Sequence, residues 1–174
     1  MARFIFVIIS FIGAAWQWTT LAEISFWSAS PNLILAIVLA GAIFNHESSG
    51  TAWLVFLPAL WLDLLGGHPF GIMTLGFWGA FYSVDFLAAY WFKKGDLPAR
   101  ISLLLIGISF FEISQVLLLK LAFFFNLTSG FSFDGGSFFL KLIASLLMNG
   151  GLILALLWLF DKKLSRRPLN NFFK

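Results

Sequence analysis

Six long apolar runs divide the chain: Phe4–Leu21, Pro31–Phe44, Thr51–Leu65, Phe70–Phe92, Ile101–Leu127 and Phe138–Phe160. A helix that crosses a bilayer needs about 20 apolar residues, within a range of roughly 17 to 25. The second and third runs fall short, so they borrow flanking residues or sit in a thinned or protein-buried region. The fifth is long enough to tilt. Hydrocarbon satisfies no backbone group, and no ten-residue alternating pattern points to a barrel, so the runs predict helices. The first run continues through Trp16 and Trp18 without a convincing cleavage site, and it reads as a spanning helix and not a signal peptide. The expectation is an all-α integral membrane protein: a six-transmembrane-helix bundle over residues 1–161, then a basic cytoplasmic tail over 162–174.

The polar segments between the runs set the orientation. With the N-terminus inside, the inner segments hold Arg3, Lys93, Lys94, Arg100, Lys162, Lys163, Arg166, Arg167 and Lys174. The outer loops Ala22–Ser30, Gly66–Pro69 and Asn126–Ser137 contain no Lys or Arg. That asymmetry predicts both termini in the cytoplasm. The remaining lysines, Lys120 and Lys141, lie within the last two runs near their outer ends, where they can snorkel or pair with acids. Trp16, Trp18, Trp27 and Trp61 fall toward the outer interface and Trp53, Trp91 and Trp158 toward the inner one, levels that amphipathic rings prefer. Trp78 is the exception, near mid-span.

Composition agrees. Of 174 residues, 60% are hydrophobic and 11% charged, against roughly 25% charged in a soluble domain; the mean hydropathy is +0.94. With no cysteine, disulfides, thiolate catalysis and cysteine metal sites are all excluded. The net charge of +3 comes from loops and tail, so topology accounts for it without nucleic acid. The basic tail suits an anionic inner leaflet, as topology signal or lipid contact.

Few polar groups lie inside the runs, and an ionisable group there is costly. Asp63 stands within one turn of the tight sequence Gly66-Gly67-His68-Pro69. It can pair with Lys120 or Lys141, which lie at comparable depth, or cap the turn through backbone N–H groups. Glu112 sits near the middle of the fifth run with Ser102, Ser109 and Gln115 close to its helical face. This stripe reads either as a proton or ligand site or as an interhelical hydrogen-bond network. Asp85 lies in the inner half of the fourth run, within reach of Lys93 or Lys94. Asn149 and Ser145 lie four apart on the sixth. Small residues at helical spacing, such as Gly76 and Ala80, permit close helix approach. The two histidines, His46 and His68, fall in loops, and no zinc-binding His-Glu-x-x-His, nucleophile-elbow or phosphate-loop motif occurs. The inventory points away from an enzyme and requires no cofactor.

The stretch Pro31-Asn32-Leu33-Ile34-Leu35, followed by Leu60-Trp61-Leu62-Asp63-Leu64-Leu65-Gly66-Gly67-His68-Pro69-Phe70-Gly71, resembles the rod shape-determining protein MreD family. That family shares the chain's size, a Pro-Asp start to the second span, and an Asp–turn–Pro-x-Gly hairpin. Glu112 and Asn149 fall where such proteins often carry polar residues. Position 32 departs from the pattern, with Asn where Asp is common. The resemblance implies a fold similar to the six-helix substrate-capture subunits of energy-coupling-factor vitamin transporters. It implies a non-enzymatic scaffold of the bacterial cell-elongation and peptidoglycan-synthesis machinery, in the cytoplasmic (inner) membrane. Its implied partners are membrane lipid, MreC, RodA and a class B penicillin-binding protein, with MreB contacted indirectly. The residues expected to carry partner or packing roles are Pro31, Asn32, Asp63, Gly67, Pro69, Gly71, Asp85, Glu112, Gln115 and Asn149. The alternative function is capture of a vitamin-like small molecule for such a transporter.

Overall fold

Apolar helices dominate the computed structural model, which describes residues 8, 11–21, 23–44, 51–66, 69–91, 97–128 and 133–164. Helix α1 covers residues 11–16 and passes into a π-helical turn, Gln17–Leu21. Then follow α2 (Leu33–Phe44), α3 (Thr51–Leu65), α4 (Ile72–Tyr90), α5 (Leu97–Phe124) and α6 (Gly135–Leu164). Between α1 and α2 the chain reverses at Trp27 and Ser28, both in left-handed conformation (φ 48° and 61°). Phe26 and Ala29 exchange backbone hydrogen bonds of 2.8 and 3.0 Å across that reversal.

Helices α4, α5 and α6 are long and apolar enough to cross a membrane; α2 and the Phe56–Leu65 part of α3 are apolar but shorter. These features point to a membrane protein. The expected six runs thus appear as three helices of spanning length, with the second and third runs as shorter helices. Helix α6 continues through Leu164, so the boundary expected at residue 161 falls within a helix; residues 165–174 lie outside the described ones.

The helix ends follow local chemistry. Asn32 is the N-cap of α2: its Oδ1 accepts the Leu35 N–H at 2.8 Å and its carbonyl accepts that of Ala36 at 3.0 Å. Asp134 caps α6, with its carboxylate accepting the N–H groups of Ser137 (2.9 Å) and Gly136 (3.3 Å). The Ser137 N–H, then the Ser137 hydroxyl, then the Gly136 N–H hold this carboxyl below its ordinary value of 3.8. Helix α5 ends on Asn126 in left-handed conformation. There the Leu127 N–H reaches the Ala122 carbonyl at 2.8 Å and the Asn126 N–H that of Phe123 at 3.0 Å, a Schellman stop. Gly71 begins α4 at φ +97°, with open space where a Cβ would stand. Backbone conformation, not crowding, is what suits glycine there.

Helix α2 is the inner helix. It touches α3, α4, α5 and α6, and Ile37 is its exposed side chain among those described. Its Leu35 and Leu39 are fully buried with Phe77 and Val84 of α4, Ile108 of α5 and Ile153 of α6. An apolar helix with nearly every face covered belongs at the centre of a bundle. The three-helix junction depends on Gly107 of α5: a Cβ there would lie 2.7 Å from Val84 Cγ2 and 2.8 Å from Leu39 Cδ2. Overpacking at such a point costs about 1–3 kcal/mol. Gly107→Ala is therefore expected to lower the unfolding free energy of the purified protein by about that amount, measured by denaturant titration. Gly151→Ala, within α6 and meeting nothing within 4 Å, should not lower it and is expected to raise it by up to about 1 kcal/mol.

Candidate functional site: a polar layer at the helix ends

The polar groups of the interior gather at one level. Helices α2 and α4 begin there, α3 ends there, and the π turn after α1 reaches it through Gln17. Helices α5 and α6 pass through it. At 1.5 Å per residue, α5 runs on from Gln115 to Phe124 for about 14 Å, and α6 travels about 15 Å from Gly135 to Ser145 before reaching it. The second and third runs are short because their helices stop at this internal layer.

On one side of the layer lies Asp63. The first turn of α4 leaves backbone N–H groups without intrahelical partners, and its own N-cap, Gly71, has no side chain to offer. Asp63, from the end of α3, accepts the Met73 N–H at 2.8 Å, the Thr74 N–H at 2.9 Å and the Thr74 hydroxyl. It is 4% exposed. A carboxylate at a helix N-terminus also meets the positive end of the helix dipole. Of the two readings open for Asp63, the cap is therefore the one realised. Among the described residues no ion pair joins it to Lys120 or Lys141, because its oxygens are already turned to α4. Gln115 of α5 adds a second brace, its Nε2 donating to the Ile72 carbonyl at 3.1 Å. Gly76 makes room for that amide: a Cβ there would lie 2.2 Å from it.

On the other side runs a chain of side chains. Lys141 Nζ stands 3.0 Å from Glu112 Oε2. Glu112 Oε1 accepts the Ser145 hydroxyl at 2.7 Å, and Ser145 accepts from Asn149 Nδ2 at 2.9 Å. Asn149 Oδ1 accepts the backbone N–H of Asn32 at 2.6 Å. Gln17 Oε1 accepts the next free amide of α2, that of Ile34, at 2.9 Å. Glu112, Ser145 and Asn149 are buried, whereas the Lys141 side chain is 35% exposed. The ammonium lies off the line of a hydrogen bond to Oε2, so that buried oxygen has a counter-charge but no donor aimed at it.

The structure thus brings together Asn32, Glu112 and Asn149 in one network, and Asp63, Gly71 and Gln115 in the other. The Glu112 stripe divides: Gln115 turns to α4, and Ser102 returns its hydroxyl to the Pro98 carbonyl at 2.9 Å. Pro31 stands half-buried ahead of the α2 cap, and the Pro69 carbonyl accepts the Ile72 N–H at 3.4 Å. Gly67 and His68 lie outside the described residues, as do Lys93 and Lys94. Asp85 lies three turns along α4 from Thr74, roughly 16 Å away, and takes no part in the layer. Sequence reasoning missed Gln17 and Thr74. Gln17 is the one amide in its run and Thr74 the first hydroxyl after the hairpin, so polarity alone marked both.

The two acids of the layer serve different networks, and among the described residues no three His, Asp or Glu side chains gather as a metal site. The arrangement can hold helix ends and stabilise one buried ion pair. No protein-family model, no curated protein and no solved structure matches the chain.

Two substitution series measure the layer. Asp63→Asn sets an amide against the N–H donors of α4 and is expected to cost about 2–3 kcal/mol, with Asp63→Ala costing at least as much and Thr74→Val about 1. Chemical denaturation of the purified protein reads all three. In the other network, Lys141→Met strands a buried carboxylate and should cost about 2 kcal/mol, below a fully buried pair because Lys141 is partly exposed. Glu112→Gln should cost less, because the ammonium it frees reaches the surface. The double variant should recover stability relative to Lys141→Met alone; a strictly additive cycle would show the pair to be uncoupled.

Proposed function

We propose that this chain is a non-enzymatic, multi-pass scaffold of the bacterial inner membrane that serves the cell-elongation machinery, as its resemblance to the rod shape-determining MreD family implies. The observation that carries the reading is the engagement of the polar layer. Asp63 is bound to the first turn of α4, and Asn149 and Gln17 to the first amides of α2. Groups held in this way fix the angles and heights of helices. That engagement suits a structural role better than a catalytic one. A rigid bundle of that kind works by presenting lipid-level faces and short loops to other membrane proteins.

In this reading the helices cross the membrane six times, α1, α2 and α3 completing their crossings with flanking residues. The absence of Lys and Arg from Ala22–Ser30, Gly66–Pro69 and Asn126–Ser137 supports cytoplasmic termini. The fold would be akin to energy-coupling-factor substrate-capture subunits. MreC, RodA and a class B penicillin-binding protein would be the direct partners, with MreB linked through them. The transporter reading draws on the same polar layer, toward which α2 and α4 both direct their N-termini. It is disfavoured because the N–H groups that could receive a ligand already donate to Asp63, Asn149 and Gln17.

Depletion of the protein in a rod-shaped host that carries it should convert rods to rounded cells, followed by microscopy. Unchanged shape at full depletion would overturn the scaffold reading. Tight, saturable binding of a vitamin by the purified protein would move the assignment to substrate capture.

A further inference from the structure

The three long helices do not present the same kind of surface. Helix α5 exposes Leu105, Phe110, Ile113, Leu117 and Phe124, and α6 exposes Phe139, Leu140, Leu147 and Leu154, with Trp158 toward its far end; midway along both helices the large exposed side chains carry no hydrogen-bonding group, and hydrocarbon solvates them. Helix α4 exposes a stripe that includes two hydrogen-bonding rings midway along it: Leu75, Trp78, Tyr82, Phe86 and Tyr90 are 56, 37, 48, 58 and 75% exposed, at the three- and four-residue spacing of one helix face. Trp78 and Tyr82 meet edge to face with ring centres 5.6 Å apart, and Trp78 also meets Phe56 of α3 at 5.8 Å.

Tyr90 and Trp91 close α4 as an interfacial belt would. Trp78 and Tyr82 do not belong to that belt. Trp78 lies about 9 Å along α4 from the polar layer, and Tyr82 about 12 Å short of Tyr90. Neither ring can reach an interface from there. Neither the Trp78 indole N–H nor the Tyr82 hydroxyl donates to any described residue. Lipid tails offer no acceptor, so two donors on such a face are unsatisfied unless something covers them.

We infer that the Leu75–Trp78–Tyr82–Phe86 face of α4 is a docking surface for one transmembrane helix of a different membrane protein, carrying hydrogen-bond acceptors at the level of Trp78 and Tyr82. This rests on the membrane reading above and gives the scaffold its contact face. A second copy of the chain fits less well. Two copies inserted in the same sense are related by an axis along the membrane normal, which sets each residue at its counterpart's depth. Trp78 would then face Trp78, donor against donor; the Tyr82 hydroxyls, which both donate and accept, could pair, but the indole N–H groups would stay without an acceptor. A foreign helix bearing Ser, Thr, Asn or Gln, or a carbonyl uncovered beside a small residue, supplies the acceptors.

Photocrosslinking in native membranes of the full chain tests this. A photoactivatable phenylalanine analogue is placed at Leu75 or Phe86, on the stripe, and at Ile113, on the exposed face of α5. The stripe positions are expected to give one discrete adduct with a protein that has a spanning helix, and Ile113 to give lipid adducts. Tyr82→Phe and Trp78→Phe should each lower the discrete adduct at least tenfold at unchanged abundance and melting temperature. If Trp78→Phe proves unstable, Tyr82→Phe, which removes one exposed oxygen, carries the test. Lipid adducts at all three positions overturn the inference and leave the membrane reading standing. A discrete adduct insensitive to Tyr82→Phe, or one of two copies of this chain, overturns it as well. An absence of lipid adducts at Ile113 overturns it together with the membrane reading.

Discussion

Helices α2 and α4 begin inside an apolar bundle, where their first N–H groups have no water to turn to. An unpaired amide in such a place costs on the order of a few kcal/mol, and each helix start presents several. Apart from Asn32, which caps its own helix through the Leu35 N–H, the fold meets this constraint from neighbouring elements. Asp63 comes from α3 to α4, Asn149 from α6 and Gln17 from the α1 turn to α2. Caps that come from neighbours also set the relative heights of those neighbours. The layer is thus at once the repair of the helix ends and the means by which five inter-helix registers are fixed.

The same requirement makes sense of the close approaches. Gln115 reaches the Ile72 carbonyl only because Gly76 leaves the space. Gly107 lets α2 and α4 close upon α5. With α2 held at the centre, the long helices keep one face each for the surroundings. Those faces differ in chemistry: the large exposed side chains midway along α5 carry no hydrogen-bonding group, whereas α4 exposes Trp78 and Tyr82, and on that difference rests the proposed division between lipid and partner.

Much of this was legible in the sequence, and what was not has a physical cause. The run Thr51–Leu65 coincides with α3, and the second, fourth, fifth and sixth runs agree with α2, α4, α5 and α6 to within a few residues, because apolar length and turn residues act locally; the start of the first run lies outside the described residues. The polarity of Asp63, Glu112, Gln115 and Asn149 marked them as interior groups. Their partners could not be read off. Asp63 and Lys141 are close enough in depth to suggest a pair, yet Lys141 meets Glu112, because partner choice depends on helix rotation and crossing, which no single run encodes. The shortness of the second run was plain, but its cause, a helix starting at an internal layer, needed Asn32 to be seen against Asn149.

The bond from the Asn32 amide to Asn149 joins residues 117 positions apart. A ribosome releases α2 long before it releases α6. The Asp63 cap, by contrast, joins neighbouring helices and can close as soon as α4 is made. During synthesis the α3–α4 hairpin is thus complete early, while the start of α2 waits with an open amide and Glu112 waits for both Ser145 and Lys141. The bundle has a built-in last step: only arrival of the final helix quiets the polar groups left exposed by the first five. A chain stopped short of that helix carries the Glu112 carboxylate and the open Asn32 amide in its interior, the kind of defect that membrane quality control can recognise.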